Sequence, residues 1–146
     1  MTARIDECTR ITKSAAARTE LQKKNLANIL AAEPKAALAV PVMAIHSIND
    51  PQVSVNAEAV YRDLAKATGT ADKLVQAYTD ENEHTAQSDA EIAAALDSLM
   101  QWIESGTHPS PESVAAACEN LRVNLTGPCR YRPDFEPKGY ATTGAR

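Results

Sequence analysis

The spacing of apolar and polar positions changes character along the chain. Ile5, Cys8 and Ile11 recur at helical intervals, and a second run places Leu21, Leu26, Ile29 and Leu30 toward one side with Lys23 and Lys24 outward. Two helices or one bent helix are predicted there, ended by a linker over 31–37 that contains Pro34. From Leu38 to His46 the pattern becomes an almost continuous apolar run with Pro41 near its beginning, as in a strand buried on both faces of a parallel sheet. A polar turn, Ser47-Ile48-Asn49-Asp50-Pro51, closes it. The next segment predicts a helix with Ser54 as N-cap, Ala57, Val60, Tyr61 and Leu64 facing inward, and Gly69 just past the end. Residues 73–78 then predict a second strand, stopped by the acidic polar stretch 79–83 and His84.

Strand, helix, strand in that order is the signature of a βαβ unit, in which two parallel strands end on the same edge of the sheet. Ser88-Asp89-Ala90-Glu91 is a capping box that opens a further helix, with Ile92, Leu96, Leu99 and Ile103 as its expected inward stripe and Gly106 closing it. Ser110-Pro111 opens another, with Val114, Cys118 and Leu121 inward. Beyond Asn124 the residues Gly127-Pro128, Pro133, Pro137 and Gly139 predict an arm without regular structure. The expected class is α/β, with two parallel strands at about 40–46 and 73–78 and helices before, between and after them. The expected organisation is 1–37 N-terminal helices, 38–123 the βαβα-type unit, and 124–146 the arm.

Composition narrows the partners. A chain of 146 residues suits one domain, and because only 4% of them are aromatic, its core must be assembled from small side chains. The formal charge of -4, without a cluster of Lys and Arg, offers nothing to a phosphate backbone, so nucleic acid is excluded as an expected partner. The longest apolar stretch, 36–45, is broken by Pro41 and falls well short of the roughly 20 residues that cross a bilayer, so no membrane is expected either. The first residues carry no signal-peptide pattern, which makes the cytoplasm the default location. Cys8, Cys118 and Cys129 lack CxxC spacing, so neither a metal knuckle nor a redox motif is expected, and no cofactor. Cys118 and Cys129 either close a short loop under oxidising conditions or stay as buried thiols. Asn124-Leu125-Thr126 fits the glycosylation pattern, which means little without a secretion signal.

The candidate chemistry lies where parallel strands end, because loops there are free to vary and helix N-termini point toward them. Asp50 follows the first predicted strand and His84 the second, so a carboxylate and an imidazole are expected at one edge. That pairing lets an acid fix a histidine's tautomer and stabilise the imidazolium formed when the ring takes a proton. The alternatives are that Asp50 merely starts a turn before Pro51 and that His84 is a solvated loop residue. His46 is expected to pack at the end of its strand, and His108, before Pro109, suggests no role.

The segments Val40-Pro41-Val42-Met43-Ala44-Ile45-His46, Asn49-Asp50-Pro51-Gln52-Val53-Ser54-Val55 and Glu83-His84-Thr85 resemble the C-terminal portion of the α/β-hydrolase superfamily, in the style of bacterial esterase-like members. The resemblance covers about 40–103. It implies that Asp50 is the triad acid, His84 the base, and the helix from Ser88 the family's closing helix. It also implies a parent family that is often secreted and a first third that forms part of a lid. Two departures stand out: Glu83 occupies the place where the family commonly has glycine, and no Gly-x-Ser-x-Gly nucleophile elbow exists in the chain. The function expected is therefore a segment or subunit of a serine hydrolase acting on small-molecule esters or amides, with the nucleophile supplied by a missing N-terminal half. The alternatives are a non-catalytic remnant that self-associates, and an unconventional nucleophile such as Cys8.

Overall fold

The computed structural model describes residue 20 and residues 35–139, the latter within one compact unit. The helices expected in the first third, with Cys8, lie outside the described residues, apart from Glu20. The element order is β1 (Val42–Ser47), α1 (Asn56–Ala67), a short 3-10 turn (Ala71–Lys73), β2 (Leu74–Thr79), α2 (Asp89–Ser105) and α3 (Pro111–Leu121). β1 and β2 pair in parallel, from Val42 opposite Leu74 to Ser47 opposite Thr79. The architecture is α/β, as the change from helical to strand spacing predicts.

Alternation along the strands divides the core between two faces. Val42 and Leu74 pack with Leu38, Tyr61, Leu64 and the buried Ala65 on the α1 side. Met43, Ile45 and Ala77 pack on the other side with Ala90 and Ala94 of α2 and with Val114 and Cys118 of α3. β2 is covered on both faces, whereas β1 is only half-buried because its outer edge has no strand partner among the described residues.

Helix ends follow the sequence signals closely. Ser88 accepts a hydrogen bond from the Glu91 amide while the Glu91 carboxylate accepts from the Ser88 amide, completing the capping box, and Gly106 closes α2 in the left-handed conformation at φ 73°. Ser110 caps α3 with Pro111 in its first turn. α1 begins differently. Its N-cap is Val55, one residue after the expected Ser54 and without a side-chain cap, while the Ser54 hydroxyl accepts from the Asn56 amide at 3.3 Å.

Two inward stripes need correction. In α2 the buried face consists of Ala90, Glu91, Ala94, Ala95, Ser98 and Trp102. Three of the expected residues turn outward instead, Ile92, Leu96 and Ile103 being exposed at 45, 59 and 56%, while Leu99 is half-buried. The physical reason is close approach. α2 packs against both β1 and α3, and a face of alanine and serine lets the backbones come near enough to exclude water. In α1, Val60 likewise points outward, and Ala59 and Ala65 are the buried residues.

The arm folds back rather than trailing away. Residues 124–139 contain no helix or strand, but Tyr131 forms an isolated antiparallel bridge with Thr79, and Phe135 meets Tyr78 edge to face at 5.3 Å between ring centroids. Of the two options for the cysteines, the structure has the disulfide, Cys118–Cys129, which ties the arm to α3.

Candidate active site

The parallel register continues past the strand ends. The Ile48 amide donates to the Thr79 carbonyl at 2.9 Å and the Asn49 amide to the Glu81 carbonyl at 3.1 Å, so the two loops leave the sheet side by side. The Asn49 side-chain amide donates to Asn82 Oδ1 at 2.9 Å, a second tie between them. Asp50 then turns the chain: its Oδ1 accepts from the amides of Gln52 and Val53 at 2.8 and 2.9 Å. This is the local turn that aspartate before proline favours. The other oxygen, Oδ2, lies 2.7 Å from His84 Nδ1. Asp50 thus serves the turn with one oxygen and meets the His84 ring with the other.

Electrostatics define the roles available. Burial of the Asp50 side chain, 5% exposed, pushes its pKa up, but the hydrogen bond with His84 and those from the Val53 and Gln52 amides outweigh this and hold the carboxyl at about 2. An ionised carboxylate only accepts, so His84 Nδ1 donates and the ring's lone pair sits on Nε2. The His84 side chain is 35% exposed, not sealed off as Asp50 is. In the neutral ring the contact with Asp50 fixes the tautomer and leaves Nε2, on the side away from the acid, as the accepting nitrogen.

The loop around His84 stores strain. Thr85 has φ 56°, in the left-handed region that a β-branched residue rarely occupies. The family-like turn residue was expected before the histidine, at Glu83. The left-handed position falls after it instead, and the Glu83 amide is held by Glu81 Oε1 at 3.3 Å.

A cavity of about 190 Å³ opens beside the pair, walled by Ile45, Val53, His46, Ser47 and Gln87. Ligand pockets usually measure about 300–1,000 Å³, so this space is smaller than an ordinary ligand site. Ser47 is not placed to act as nucleophile: it is buried at 1% exposure and its hydroxyl accepts from Gln87 Nε2 at 2.8 Å. His46 is half-buried at the end of β1, its Nδ1 within 2.8 Å of the Ser47 carbonyl, and it is not drawn into the Asp50–His84 pair. His108 lies far along the chain against Trp102, ring centroids 4.6 Å apart. Among the described residues no group of three or more His, Cys, Asp or Glu side chains is arranged to hold a metal ion, and no helix is long and apolar enough to cross a membrane.

No protein-family model, curated protein or solved structure matches the chain. The geometry must therefore stand on its own residues.

Sequence reasoning missed the support behind the pair. Glu81 and Glu91 both bind Arg130, whose guanidinium also reaches the Ala86 carbonyl. The capping box revealed Glu91 as a helix-end residue, but nothing in local spacing links it to an arginine 39 positions away. The hydrogen bond from the Asn82 amide and the Arg130 charge lower the Glu81 pKa against the opposing effect of burial.

Proposed function

We propose that the chain supplies the acid, Asp50, and the general base, His84, of a serine hydrolase acting on small-molecule esters or amides, with the nucleophile on another chain. The observation that carries this reading is the 2.7 Å hydrogen bond between two side chains brought from successive strand ends. In the proposed reaction His84 Nε2 takes the proton of a serine hydroxyl as its oxygen attacks the acyl carbon. Asp50 stabilises the imidazolium, which then returns the proton to the leaving group. The small cavity supports the same view, because the remaining walls and the oxyanion donors would come with the nucleophile.

The test is co-expression with the product of the adjoining reading frame, followed by assay of the purified complex on nitrophenyl esters. Hydrolysis that falls about 10⁴-fold in His84→Ala, with folding retained, is the expected result. An adjoining product without a Gly-x-Ser-x-Gly turn, together with absence of activity, would reject the reading.

A second reading, a non-catalytic module that associates with a copy of itself, is favoured by one observation. Ile92, Leu96, Met100 and Ile103 form an exposed apolar stripe on α2, and β1 has no strand partner on its outer edge among the described residues. Light scattering that reports a cooperatively melting monomer would count against both readings.

A further inference from the structure

The loop that carries His84 hangs between two points that one side chain holds. On the near side, Arg130 Nη1 pairs with Glu81 Oε2, while Glu81 Oε1 accepts from the amides of Asn82 at 2.7 Å and Glu83 at 3.3 Å. On the far side, Arg130 Nη2 donates to the Ala86 carbonyl at 3.0 Å. His84 lies between these points, and its neighbour Thr85 is in the left-handed conformation, which persists only where the surroundings enforce it. We infer that Arg130 is a positioning residue for the Asp50–His84 pair, its guanidinium fastening both ends of the loop that aims the imidazole.

Arg130 is itself firmly anchored. Its amide and Nε both donate to Glu91 Oε1, at 2.7 and 3.2 Å, and Nη2 donates to Glu91 Oε2 at 3.0 Å. Glu91 is completely buried in the first turn of α2, and its Oε2 also accepts from the Ser88 amide. The Arg130 carbonyl accepts from the Asp80 amide at 2.8 Å, and the preceding residue, Cys129, is bonded to Cys118 of α3. Anchor and loop are thus joined through one rigid planar group. Only arginine offers this, since a lysine ammonium has no fork with which to reach Glu91, Glu81 and Ala86 together. The surrounding acids, Glu81 and Glu91, raise the guanidinium's proton affinity further, so the clamp stays charged.

As a role in catalysis the inference rests on the acid and base reading of Asp50 and His84; as a statement about geometry it is tested without substrate. The readout is the low-field proton resonance of His84 Nδ1 in the full chain, identified by its loss in Asp50→Asn. Removing Arg130 alone leaves buried carboxylates unpaired and risks unfolding, so two other variants carry the test. Glu81→Gln cuts the ionic link at one end of the loop and leaves Arg130 on Glu91. The triple variant Arg130→Met, Glu81→Gln, Glu91→Gln removes the clamp and its charges together. Expected is solvent exchange of the Nδ1 proton about tenfold faster in Glu81→Gln and loss of the resonance in the triple variant, with the amide signals of α3 unmoved. A wild-type Nδ1 resonance and exchange rate in Glu81→Gln would overturn the inference, whether or not the triple variant folds. Activity failing with the resonance behaving as expected would instead reject the hydrolase reading and leave the clamp in place.

Discussion

A carboxylate that accepts three hydrogen bonds is favoured in its ionised form, and Asp50 accepts from Gln52, Val53 and His84. Its pKa lies below the ordinary 3.8, at about 2. The associated stability is therefore complete above 3.8 and is lost as the pH falls through about 2. Comparing urea midpoints of the wild type and Asp50→Asn across that interval should show the steeper acid loss in the wild type. Equal slopes would mean that the His84 contact does not persist in solution. Thr85 gives a second residue-level expectation. Left-handed backbone costs a non-glycine residue about 1–2 kcal/mol, and glycine costs about 0.5–1 kcal/mol in unfolded-chain freedom. Thr85→Gly should thus change stability by between about 0 and about 1.5 kcal/mol in the stabilising direction, while increasing the mobility of His84 in relaxation measurements. The meeting of Asp50 and His84 was legible in the sequence because each lies within five residues of the end of a short, largely apolar strand, and parallel strands end on one edge. Arg130 was not, because it belongs to an aperiodic segment and its partners, Glu81 and Glu91, lie 49 and 39 positions away.

Among the elements, α2 shows how a large-residue stripe can mislead. Two faces of this helix carry apolar residues, one of Ile, Leu and Met and one of Ala with Ser98 and Trp102. Hydrophobicity alone selects the first, yet distance to the neighbours decides, and β1 with α3 leave room only for the second. The consequence is an inverted mutational pattern. Ala94→Leu, in the buried face, should cost about 1–3 kcal/mol by overpacking, whereas Leu96→Ala should change stability by less than about 0.5 kcal/mol. Chemical denaturation of the two variants checks this, and the reverse order would put the core on the other side of α2. The caps were legible to the residue in α2 and α3, since the Ser88 and Ser110 hydroxyls accept from amides only three residues on, and Gly106 and Pro111 act through their own backbones. Gly127 was not: its φ is 99°, and an added Cβ would stand 2.5 Å from the Ser88 side chain. Only the folded arm brings it there.

At the scale of the whole molecule, the outward stripe of α2 presents apolar surface, and the outer edge of β1 has no strand partner among the described residues. Self-association through this surface predicts that the protein runs larger than 15.7 kDa in light scattering. Leu96→Glu with Ile103→Glu should return it to a monomer of unchanged melting cooperativity, because neither residue belongs to the core. A dimer that survives both substitutions would locate the contact elsewhere. The α/β class and the parallel pairing were readable from strand, helix, strand order. Which helix face remains open was not, since that depends on packing distances no periodicity encodes.

The sulfur bridge between α3 and the arm is one of the fastenings at that place: the bridge holds Cys129 to α3, and the Tyr131–Thr79 pairing lays the next residues on β2. A dithiol reagent removes the first and leaves the second. Trypsin should then cut after Arg130 faster than in the oxidised protein, read by mass spectrometry, while the bond after Lys73 at the start of β2 keeps its protection.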